Sequence, residues 1–65
     1  MKLTHLGTES GDTGCPSLYA TDQGTFLVQG WRVADAEALA GLDLPDHETV
    51  IEVPRELLVR HVPRD

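Results

Sequence analysis

Residues 18–33 set two β-rich runs around the three-residue connection Asp22-Gln23-Gly24, and the second run is apolar on both of its faces. Side chains alternate across a strand, so Phe26 and Val28 project one way while Leu27, Trp31 and Val33 project the other. A single chain of 65 residues buries only roughly 60% of the surface its unfolded form exposes. An interior that thin does not cover both faces of a strand. The ribbon therefore predicts a hairpin and, with it, a surface that a second chain must shelter.

Around this ribbon the elements read in order. Residues 7–14 hold three glycines and no apolar side chain, so they do not repay their ordering entropy. Residues 1–14 are accordingly expected to be a flexible lead-in, and residues 15–65 a single small domain. Order is expected from Cys15-Pro16, since proline suits a strand start or edge. Residues 17–21 and 25–33 read as the two hairpin strands, with Gly24 supplying the positive φ of a bulged three-residue loop. Gly30 marks a bulge or a close backbone approach.

Residues 35–41 then turn to helix formers, with Asp35 near the cap, Glu37 in the first turn and Gly41 as the stop. Leu39 and Leu42 are spaced to face the sheet together. After a turn around Pro45, residues 49–53 read as a third strand rich in β-branched residues. Pro54 fits a first helical position, and residues 55–61 continue as a helix with Leu57, Leu58 and Val62 on one side, Glu56 and Arg60 in ion-pair spacing, and Pro63 as its end. The predicted fold class is α+β: a small three-stranded, mainly antiparallel sheet built from a β-hairpin, a short helix, a strand and a C-terminal helix.

One cysteine, Cys15, excludes an intrachain disulfide and points to a reducing, cytoplasmic setting. No run approaches the ~20 apolar residues of a bilayer span, so no membrane role is expected. The formal charge is −6, which repels phosphate backbones and argues against direct nucleic-acid binding. The imbalance is local: residues 1–53 hold nine acids against Lys2 and Arg32, whereas Arg55, Arg60 and Arg64 form a basic end. An acidic body of this kind meets a basic partner readily, although it also serves plain solubility.

Candidate chemistry is sparse. Cys15 with His5, His47 or His61 could serve a small thiol- or metal-dependent enzyme or ligand carrier, but the residues lack the paired spacing of a structural zinc site. Asp43, Asp46, Glu48 and Glu52 cluster in sequence without the central glycine of a calcium loop. Neither set makes a catalytic, cofactor or metal signature, and no cofactor is expected. The residues expected to bind a partner are Tyr19, Phe26, Leu27, Trp31 and Arg32 on the hairpin, with Leu58 and Val62 on the terminal helix. Aromatic residues and arginine concentrate binding energy, and an apolar helix stripe offers a second surface.

From Cys15-Pro-Ser-Leu-Tyr-Ala-Thr-Asp-Gln-Gly-Thr-Phe-Leu-Val-Gln-Gly-Trp31 and Val50-Ile-Glu-Val-Pro-Arg-Glu-Leu-Leu58, the chain resembles small acidic proteins of actinobacteria. These are similar to accessory proteins encoded beside Xre-type helix-turn-helix regulators. The likeness covers residues 15–58 and is a pattern of strands, one cysteine and a proline-led helix. It implies a non-enzymatic interaction module, an accessory partner of a DNA-binding regulator or an antitoxin-like protein, with a homodimer as a further expectation. It carries over no active-site residue.

Overall fold

The hairpin forms where its turn chemistry places it. In the computed structural model, which describes residues 1–10 and 15–64, β2 (Ser17–Thr21) and β3 (Phe26–Gln29) pair antiparallel, with Leu18 opposite Val28 and Tyr19 opposite Leu27. Gly24 takes φ 78°, which the short connection demands and a side chain would oppose. Thr21 secures the turn: its Oγ1 accepts from the backbone N–H groups of Gln23 and Thr25, and its own N–H donates to the Thr25 carbonyl at 2.9 Å.

The lead-in expected over residues 1–14 is corrected by β1 (Leu3–Thr8), which pairs antiparallel with β2 and makes β2 the central strand of the order β1-β2-β3. Its register shifts between His5 and Gly7, so Leu6 is an extra residue. That bulge puts Leu3 and Leu6 out of step and conceals the alternation that marks a strand. Residues 11–14 of the expected lead-in lie outside the described residues.

The single strand expected over residues 25–33 is two. It breaks at Gly30, where a Cβ would stand 2.5 Å from Val53 Cγ1 and 2.7 Å from the Glu52 carbonyl oxygen. Only glycine admits so close an approach. Beyond it β4 (Trp31–Arg32) pairs with β5 (Ile51–Glu52), Trp31 opposite Glu52 and Arg32 opposite Ile51, as a separate two-stranded ribbon. The third strand of the main sheet is therefore β1, and the strand expected over residues 49–53 is shortened and serves β4 instead.

Helix α1 (Ala36–Ala40) starts as its cap dictates, the Asp35 carboxylate accepting from the Glu37 N–H at 3.0 Å. It buries no residue, and Leu39 and Leu42 are exposed rather than turned onto the sheet, because the sheet is covered by the second helix. That helix, α2 (Arg55–His61), has Pro54 at its N-cap rather than inside its first turn. It packs on β1 and β2, and the two fully buried large apolar side chains, Leu57 on the helix and Leu18 on β2, are 0% and 1% exposed. Gly7 lies directly beneath it, where a Cβ would overlap the His61 ring. Arg60 reaches Glu9 rather than the expected Glu56.

The fold is α+β, and it is open. The accessible surface is 5342 Å², whereas a chain of 7.1 kDa packed like an ordinary monomer exposes about 4,100 Å². The radius of gyration, 13.2 Å, exceeds the roughly 10.7 Å of a compact domain of this length.

Candidate interaction surface

Register divides the main sheet into two faces. Leu18, Ala20, Phe26 and Val28 share the face under α2, since Gly7, which touches the helix, stands opposite Leu18. The helix rests mainly on β1 and β2. Phe26 is consequently 50% exposed and Val28 36%.

The opposite face carries Leu3, His5, Tyr19 and Leu27, and pairing places His5, Tyr19 and Leu27 in one row across the three strands. The His5 and Tyr19 rings stand 5.3 Å apart with their planes tilted by 53°. Leu3, Tyr19, Leu27, Val28 and Gln29 line an open depression of about 420 Å³. Leu27, beside Tyr19 on the outermost strand, is 41% exposed.

One end of this face is held by a hydrogen-bond chain. The Ser17 hydroxyl donates to the Cys15 carbonyl at 3.1 Å, so it accepts from the Thr8 hydroxyl at 2.8 Å. Having given its only proton to Ser17, Thr8 accepts from His5 Nε2 at 2.6 Å, which places a proton on that nitrogen. The chain ties the bulged end of β1 to the start of β2. On the other face the Glu9 carboxylate meets His61 Nε2 at 2.7 Å and Arg60 at 3.4 Å, pinning the end of α2 to β1.

Of the residues expected to bind a partner, the structure brings Tyr19 and Leu27 together on the open face and sets Phe26 on the other side of the same edge strand. Trp31, half-buried, and Arg32, exposed, belong to the β4–β5 ribbon. Leu58 on α2 and Val62 at its C-cap are exposed, while Leu57 is buried. Leu3 and His5 join the open face without any mark in the sequence, because the bulge at Leu6 breaks their pattern.

The alternative chemistry finds no such convergence. Cys15 is exposed and 3.9 Å from the Ser10 hydroxyl; His61 pairs with Glu9 and His47 lies beside Glu48. Among the described residues no three His, Cys, Asp or Glu side chains stand together as a metal site, and no helix is long and apolar enough to cross a membrane. Arg60, central to the basic end, is turned toward Glu9. Comparison with protein-family models, curated proteins and solved structures returns no match.

Proposed function

We propose that this chain is a non-enzymatic, cytoplasmic interaction module whose sheet is sheltered by a second protein, a helix-turn-helix transcriptional regulator being the partner its sequence resemblance suggests. One observation carries the reading: Leu3, Leu27, Phe26 and Val28 remain exposed on a sheet whose own helix buries little beyond Leu18 and Leu57. Exposed apolar side chains gathered on a sheet, Leu3 with Leu27 on one face and Phe26 with Val28 on the other, commonly mark binding sites. The acidic body favours approach to a basic protein.

Titration calorimetry with a purified Xre-type helix-turn-helix regulator tests this. Leu3→Asp and Leu27→Asp, both at exposed positions, are expected to weaken binding about 30-fold or more while far-ultraviolet circular dichroism stays unchanged. Unaltered affinity in both variants, or no heat of binding by the parent chain, overturns the proposal.

A further inference from the structure

Between β4 and β5 the chain makes an excursion whose two ends are brought together by the ribbon, Trp31 opposite Glu52 and Arg32 opposite Ile51. Every residue from 34 to 49 along it is exposed. The excursion is nevertheless ordered by its own backbone. Asp35 caps α1, the Gly41 N–H donates to the Ala38 carbonyl at 3.1 Å, the Leu42 N–H to the Leu39 carbonyl at 3.2 Å, and the Glu48 N–H to the Pro45 carbonyl at 3.0 Å. A helix of five residues does not hold itself in water, since isolated helices are marginal below roughly 12 residues and take their stability from packing an apolar face. α1 buries none of its residues, and Leu39, Leu42 and Leu44 stand 38%, 46% and 41% exposed.

The charges set among these leucines define the surface that complements them. Asp35, Glu37, Asp43, Asp46 and Glu48 alternate with them, and residues 33–50 hold no lysine or arginine. Among the described residues none of the five carboxylates meets a lysine or arginine, and Glu48 lies only beside His47, at 3.9 Å. Such a segment repels anionic lipid and nucleic acid alike. It complements an apolar surface rimmed by cations.

We propose that residues 34–49 are a docking arm whose leucines enter an apolar groove of a basic protein, with lysine or arginine side chains of that protein facing Glu37, Asp43, Asp46 and Glu48. This rests on the interaction-module reading and gives it a second contact, separate from the sheet. Leu39 and Leu42 are three residues apart across the end of α1, the spacing by which a short helix is anchored in a groove. Burial of the leucines supplies affinity, and the carboxylates select a basic partner and speed its approach. The β4–β5 ribbon fixes the spacing of the two ends and the Asp35 cap starts the helix, so less ordering remains for the moment of binding.

Titration calorimetry of the full chain with the Xre-type regulator as probe tests the arm. Leu39→Asp and Leu42→Asp replace side chains that no core contact uses, so circular dichroism stays unchanged, and each is expected to weaken binding about 10-fold. The triple variant Asp43→Asn, Asp46→Asn, Glu48→Gln keeps the leucines and is expected to flatten the fall of affinity with rising salt. If the parent chain binds and both leucine variants bind equally well while Leu27→Asp binds weakly, the arm is overturned and the module reading stands. Weakening by the leucine variants with an unchanged salt response in the triple variant overturns the cationic rim. No heat from the parent chain overturns both readings. A self-association in sedimentation equilibrium that Leu39→Asp abolishes, with regulator binding untouched, assigns the arm to a second copy and overturns the partner named here.

Discussion

Leu57 and Leu58 are neighbours on one helix with opposite surroundings, and truncating each to alanine weighs how α2 is held. Leu57 is 0% exposed against β1 and β2, so Leu57→Ala loses its transfer energy and leaves a cavity in a core with little else to collapse. Such a change costs about 3 kcal/mol. Leu58 is 44% exposed. Three carbons at about 0.8 kcal/mol each, discounted for that exposure and with no enclosed cavity, give about 1 kcal/mol. A chain of this length has roughly 3–10 kcal/mol in total, so the first loss is a large fraction and the second a small one. Urea titration followed by circular dichroism resolves them: with a slope near 1 kcal/mol/M for so small a protein, midpoints fall by about 3 M and about 1 M. Equal shifts would refute the assignment of Leu57 as the anchor of α2 and of Leu58 as a surface residue.

Two glycines test the close approaches that position the elements. Gly7→Ala forces a methyl into the His61 ring and is expected to cost about 2 kcal/mol; in the double variant with His61→Ala that cost should largely vanish, measured as coupling in a double-mutant cycle. Gly30→Ala meets the Glu52 carbonyl and the Val53 side chain, so a similar loss of about 2 kcal/mol is expected, and no single side-chain truncation restores it because part of the obstruction is backbone.

The hairpin was legible because its determinants are local: Gly24 and Thr21 close the turn, and β-branched and aromatic residues flank it. The helices were legible for the same reason, through Asp35 at one start and Pro54 at the other. The long-range choices were not. Nothing in residues 49–53 says whether they pair with residues 17–21 or with residues 31–32, and the decision falls at Gly30, whose missing side chain lets β5 cross. Leu3 and His5 were hidden by the bulge at Leu6, and their place in the sheet depends on contacts with Tyr19 and Thr21, far along the chain. The two-faced apolar character of residues 26–28 was readable from alternation alone, and these residues are exposed in the structure.

Element size explains that exposure and makes a last prediction. A helix of seven residues, as in α2, is about 10 Å long and about 10 Å wide, while three strands span about 10 Å between their outer axes and carry side chains beyond. One such helix covers two strands on one side and leaves β3 and the whole reverse face to other material, and α1, with five residues and none buried, adds nothing there. If association supplies the missing cover, folding and assembly are linked, and thermal stability must depend on protein concentration. For a dimer that unfolds as it dissociates, a hundredfold rise in concentration adds about 2.7 kcal/mol per dimer. Divided by the unfolding entropy of two such chains, this raises the midpoint by about 10 °C. Scanning calorimetry across that range reads the shift directly, and a midpoint independent of concentration would show that the exposed β3 edge contributes nothing to stability through self-association.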